Sequence, residues 1–228
     1  MGLFSSSSTE SKMDVLQREM CDFVDTVHED GRCLGAVSTF DTEVSVGEMR
    51  QQSTSVESRV DSLTTGGGTA LYDSIIAVMT NWQRARIEAD RVDTPALLVT
   101  VTDGMDNESD GSIDDVREAI AGTGFHPKNA CYFVLIGVGG DASEDELRRI
   151  CADGLGMYEH VSHVEEVLRL VLAATLVGVV RRERYQKVEQ KADELSVTEL
   201  RRELAAVGLR GLDYTLNVDT SGSMSDSA

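Results

Sequence analysis

The chain has 228 residues, 41% of them hydrophobic, and a formal net charge of −19. That length and apolar content accommodate one large α/β core with a helical arm, not two full domains. The acidity argues against nucleic acid, whose phosphates such a surface repels. The apolar run from Val167 to Val180 is too short to cross a bilayer and contains Arg169, so no membrane partner is expected. No charged-then-apolar leader is present, and a cytoplasmic location is expected. Cys21, Cys33, Cys131 and Cys151 show no close spacing and read as structural thiols.

In chain order, a Ser-rich segment over residues 1–10 is expected to be flexible. Residues from Ser11 to Val24 carry apolar side chains at helical spacing. Cys33 to Phe40 and Glu43 to Val46 read as strands joined by a turn at Asp41 and Thr42. Thr64-Thr-Gly66-Gly67-Gly68-Thr69 opens a helix running through Trp82, its glycines permitting a tight turn and close backbone approach. Pro95 to Thr102 is a nearly continuous apolar run, as expected of a buried parallel strand, and Asp103 and Gly104 follow at its carboxyl end. Asp114 to Ala121 reads as a helix and Ala130 to Val138 as a buried strand. Ser143 to Ala152 is a helix with acidic residues in its first turn, and Gly156 to Val161 a short strand.

Ser162 to Glu194 reads as one long helix, charged from Arg181 to Asp193. Ser196 and Glu199 form a capping-box pattern that starts a second helix ending near Gly208. At about 1.5 Å per residue the charged half of the first helix extends roughly 20 Å, and the second helix, roughly 18 Å long, runs back along it. The last strand-like run is Leu212 to Val218. The expected divisions are a terminus (1–10), an α/β core (11–180), a helical hairpin connector (181–211), a strand with its loop (212–223) and a tail (224–228). Alternating strands and helices argue for a doubly wound, mostly parallel central sheet flanked by helices.

Oxygen ligands concentrate at three places. Asp219-Thr-Ser221-Gly-Ser223 leaves the last strand with a carboxylate and two hydroxyls able to face one centre. Thr69 would add a hydroxyl and Asp103 a carboxylate. Such a set suits a hard cation, Mg²⁺ or Mn²⁺. Alone, Asp-x-Ser-x-Ser is a weak signal, because the same residues crowd into ordinary turns. Gly68, Gly104 and Gly222 are candidate backbone contacts in the metal loops, and Asp73 and Asp106 are candidates to support the ligands from behind.

Taken together, these residues resemble the von Willebrand factor A domain, whose metal-ion-dependent adhesion site combines an Asp-x-Ser-x-Ser loop with a distant Thr and a distant Asp. All five positions match, as Asp219, Ser221, Ser223, Thr69 and Asp103. The departure is order: in that family the Asp-x-Ser-x-Ser strand opens the domain, whereas here it comes last, as in a circular permutation. The resemblance implies that residues 212–219 form a central strand and that both chain ends lie beside the cation. It further implies a cation-dependent protein-interaction module, in which a partner's Asp or Glu completes the coordination.

No His or Lys lies near these motifs in the sequence and no Gly-x-Ser-x-Gly elbow is present, so no general base or nucleophile is evident and no enzyme is expected. A strand-exchanging assembly subunit, whose metal staples the last strand into the sheet, is the alternative. A monomer is favoured over a strand-swapped oligomer, because the two connector helices nearly cancel in length. Other motifs are weaker. Met1-Gly2 fits a myristoylation pattern that needs a eukaryotic source. Residues from Asp106 to Gly111 begin like a calcium loop but lack Glu at the twelfth position, where Arg117 stands, and are read as a solvated acidic loop. Residues from Leu195 to Leu209 are similar to the first helix of SAP-type modules without the second.

Overall fold

The structure, a computed structural model, describes residues 10–28, 33–50, 52–123, 131–139, 143–179, 195–207 and 211–226. In chain order these form α1 (Lys12–His28), β1 (Leu34–Phe40), β2 (Val44–Ser45), α2 (Ser53–Asp61), α3 (Leu71–Glu88), β3 (Ala96–Thr102), α4 (Ile113–Gly122), β4 (Cys131–Val138), α5 (Glu144–Cys151), β5 (Met157–Val161), α6 (Val167–Val179), α7 (Val197–Val207) and β6 (Asp213–Asp219). The strands make one sheet in the order β2-β1-β6-β3-β4-β5. Among the described strands the β1–β2 pair is antiparallel and the others are parallel. With helices on both faces, this is a doubly wound, Rossmann-like α/β fold.

The last strand is a central one. β6 pairs in parallel with β1 from Leu34 opposite Asp213 to Phe40 opposite Asp219, and with β3 from Ala96 opposite Asp213 to Val101 opposite Val218. All seven of its residues are buried. Side chains alternate across the sheet, and two cores result. Leu97, Val99, Val101, Tyr214, Leu216 and Val218 pack with α1, α2, α6 and α7. Leu98, Phe133 and Leu135 pack with α3, α4 and α5.

Residues 213, 215, 217 and 219 of β6 are polar and yet buried, because α3 and neighbouring polar groups answer them. Asn217 donates to Ser74 Oγ on α3 (3.0 Å) and to Thr100 Oγ1 on β3 (3.3 Å). Asp213 pairs with Arg91 and with Arg86 of α3. On the opposite face Tyr214 meets the edge of Phe23, with ring centroids 5.2 Å apart, and its hydroxyl lies 2.8 Å from His28 Nε2. Gly35 makes room for that hydroxyl: a Cβ there would stand 2.3 Å from it.

Three sequence expectations change. Helix α2 has no counterpart among the elements read from the sequence; Val56 and Val60, one turn apart, seat it in the core. The helix expected from Ser162 is broken at its start, where a 3₁₀ turn over Val164–Glu166 precedes α6, and its charged half lies outside the described residues. Helix α3 runs six residues beyond Trp82, to Glu88. The capping box at Ser196 is present, its amide donating to Glu199 Oε2 (3.0 Å) and its Oγ accepting from the Glu199 amide (3.4 Å). Leu200 and Leu204 seat α7 in the same core as α6. Among the described residues no helix is long and apolar enough to cross a membrane.

Candidate functional site

Parallel pairing of β6 with β3 brings their carboxyl ends side by side, so the loops leaving them share one space. Asp219, the last residue of β6, is fully buried. Its Oδ1 accepts the Ser221 amide (2.9 Å) and its Oδ2 the Thr102 hydroxyl (2.5 Å). Ser221 Oγ lies 2.8 Å from Ser223 Oγ, which donates to Asp103 Oδ1 at 2.6 Å. Thr69, also buried, faces the same space. The point that a Cβ on Gly104 would occupy lies 3.2 Å from Thr69 Oγ1 and 3.8 Å from Ser223 Oγ. All five residues singled out in the sequence therefore converge.

The loops are tied to one another by backbone groups. Gly66 N donates to Thr220 O (2.8 Å) and Gly222 N to Gly67 O (3.2 Å), joining the glycine loop to the last loop. Gly67 has φ +77°, which favours glycine. A Cβ on Gly68 would stand 2.4 Å from Glu108, so glycine is needed for the close approach of that loop. Of the glycines named as metal-loop contacts, Gly68 ties its loop to the turn after β1, its N donating to Thr42 Oγ1, whereas Gly104 N donates within its own loop, to Thr102 Oγ1.

Asp73 and Asp106 do not support the five residues directly. Asp73 accepts the amides of Asp110 and Gly111 (both 3.0 Å), and Asp106 accepts the Tyr72 amide (3.1 Å) and the Ser109 hydroxyl (2.5 Å). Together they pin residues 106–111 to the start of α3. That loop is not simply solvated, since Asp106 is half-buried and burial pushes its carboxyl up. Asn107 does what was assigned to Asp73 and Asp106: its Oδ1 accepts the Thr69 amide (2.8 Å) and its amide donates to Thr69 O (3.0 Å).

No lysine lies near the motifs in the sequence, yet the fold brings one among them. Lys12 Nζ sits 2.7 Å from Asp103 Oδ2. A contact spanning 91 positions has no local spacing to reveal it. Thr102, the partner of Asp219, could have been noticed beside Asp103 at the strand end. The first helix and the loop after β6 are joined here as well, with the Lys12 amide donating to Asp226 O at 2.9 Å.

Burial pushes the Asp219 carboxyl up to about 6; the neighbouring Asp103 adds to this, while hydrogen bonds from Thr102 and Ser221 pull the other way. The ordinary value is 3.8. Across the interval from there to about 6, the folded chain keeps a proton that the unfolded chain has released, so stability falls as pH rises through it. Urea unfolding in chelator should show wild type losing of the order of 2–3 kcal/mol relative to Asp219→Asn between about pH 4 and 6.5. Parallel pH profiles would contradict this account of the site.

Among the described residues no group of three or more His, Cys, Asp or Glu side chains is arranged to hold a metal; the convergent set has two carboxylates and three hydroxyls. Cys33, Cys131 and Cys151 are buried, and none of the four cysteines is in a disulfide. Burial pushes Cys21 and Cys151 up to about 12, which leaves them poor nucleophiles at neutral pH. Comparison with protein-family models gives no match, and comparison with curated proteins gives no relative.

Proposed function

We propose that the chain is a divalent-cation-dependent protein-interaction module, monomeric and not an enzyme. In this reading Asp219, Ser221, Ser223, Thr69 and Asp103 hold Mg²⁺ or Mn²⁺, and an Asp or Glu of a partner protein completes the coordination. One observation carries it: two buried carboxylates and three hydroxyls, from loops far apart in sequence, meet at one point where a side-chain ammonium already rests on a carboxylate. The donor set fits a hard cation, being all oxygen. Its two carboxylates balance a dication, and five protein oxygens leave one position of an octahedral ion open, so the bound ion would supply a Lewis-acidic position for an incoming carboxylate.

The chain's own residues prepare that encounter. Thr102 and the Ser221 amide orient Asp219, Ser223 orients Asp103, and Asn107 fixes the backbone of Thr69. Burial of Asp219, Asp103 and Thr69 keeps bulk water from competing for the same oxygens. Met105, beside Asp103 and 54% exposed, offers apolar contact to whatever docks there. The net charge of −19 repels acidic surfaces at range, so the partner is expected to be basic around its one acidic contact residue. The resemblance to the von Willebrand factor A domain supports the same reading.

A magnesium titration followed by thermal unfolding tests it. At a concentration near 100 times Kd, the wild-type Tm is expected to rise by about 5–10 °C. Asp219→Ala and Thr69→Ala are expected to show no rise. If all three proteins respond alike, the ligand set is wrong.

A further inference from the structure

Asp103 has no idle oxygen. Oδ1 accepts the Ser223 hydroxyl and Oδ2 the Lys12 ammonium. The two donors differ in what a divalent ion could do with them. A hydroxyl that gives up its hydrogen bond still has lone pairs to offer as a ligand, whereas an ammonium has none and repels a dication. Ser223 can therefore remain in an occupied site, and Lys12 has to leave it.

Lys12 is built in as firmly as a departing group can be. Its side chain is 17% exposed, over an Asp103 side chain that is 0% exposed. Its amide is held by Asp226 O, and its ammonium reaches the turn after β4, where a Cβ on Gly139 would lie 3.9 Å from Nζ. The choice of lysine is informative in a chain with only four, Lys12, Lys128, Lys187 and Lys191, where arginine is the common cation. A flexible stem carrying a compact charge can swing to solvent, whereas the planar fork of arginine grips a carboxylate at two points.

We infer that Lys12 is an internal competing cation. Its ammonium neutralises Asp103 in the ion-free state, and divalent binding requires its displacement to the rim of the site, so Lys12 sets the cation concentration at which the site fills. This rests on the cation-dependent reading above and adds a threshold to it. Because the Lys12 amide is also bonded to Asp226 O, filling the site would be felt where α1 meets the loop after β6.

The test compares wild type, Lys12→Met and Lys12→Arg by magnesium titration, with half-saturation read from thermal shift and from calorimetry. Lys12→Met is expected to be less stable than wild type in chelator and to reach half-saturation at a magnesium concentration lower by about tenfold or more. Lys12→Arg, keeping the charge and gripping the carboxylate at two points, is expected to reach half-saturation at a higher magnesium concentration than wild type. A purely structural ion pair would lower the Tm of Lys12→Met equally with and without magnesium and leave half-saturation where it was; that result overturns the competition and leaves the cation site standing. No response in wild type or in Lys12→Met overturns the cation site itself and the competition with it. A second measurement does not depend on the variants folding. The ¹⁵Nζ signal of Lys12 in wild type, protected by its contact with Asp103, should be lost at saturating magnesium, and its persistence there would refute displacement.

Discussion

Removing residues 212–228 is expected to abolish cooperative folding, with no thermal transition in circular dichroism and exposed apolar surface detectable by dye binding. The deletion leaves β1 and β3 as facing interior edges, each with a row of unpaired backbone groups. It also removes Leu212, Tyr214, Leu216 and Val218, each at most 3% exposed. Burial of such side chains contributes about 1.5–3 kcal/mol apiece, which together approaches the whole stability of a typical domain, about 5–15 kcal/mol. A re-cut chain gives the control. Because the Lys12 amide already touches Asp226 O, a short linker joining 226 to 11, with the chain opened within 180–194, should unfold cooperatively. If the truncated chain melts cooperatively within a few degrees of wild type, β6 is not the keystone described here.

Asp213→Ala is expected to cost about 3–5 kcal/mol, seen as a fall in Tm of about 10 °C or more. Asp213 begins β6 with its side chain fully buried and receives Arg91 Nε at 2.8 Å and Arg91 Nη2 at 2.5 Å, with Arg86 Nε at 3.3 Å. Arg86 is itself buried, lies 4.4 Å from the centroid of the Trp82 ring, and donates to the carbonyls of Arg91, Val92 and Thr94. Truncating the carboxylate leaves a buried guanidinium without its counter-charge, which is the costly half of such a pair. Burial pushes the Asp213 carboxyl up despite the opposing pull of both arginines, so the attraction within the cluster largely offsets the cost of taking its charges out of water. Replacing the whole cluster with apolar side chains, as Asp213→Leu with Arg86→Met and Arg91→Met, is therefore expected to cost much less than the single change. A loss under about 1 kcal/mol for Asp213→Ala would show that the ion cluster is dispensable.

Much of this molecule is legible one segment at a time. The continuous apolar run before Asp103, the helical spacing of Met13, Leu16, Met20 and Val24, and the Ser196–Glu199 box all carry their structure in short-range pattern. So do Asp219, Ser221, Ser223, Thr69 and Asp103, because loops after strands are written in residue types that turns and ions both use. Helix α2 was not legible: only Val56 and Val60 of its nine residues are buried, too short a stripe to stand out from a polar stretch.

Local pattern stops at the question of what lies opposite. The alternation of Asp213, Thr215, Asn217 and Asp219 with apolar residues is what a strand with one wet face shows. Here the polar face is dry, because α3 covers it and Arg86, Ser74 and Thr102 answer it. The alternation within residues 212–219 does not put them between β1 and β3, a place that only the resemblance implied, and nothing near position 12 points to Asp103. Apart from α2 and the break before α6, the chain by itself determined which segments are strands and helices and which oxygens stand at their ends, since those depend on spacing of a few residues. Only the packed sheet decided how those oxygens bond to one another, and that a lysine stands among them, because these contacts join residues about a hundred positions apart.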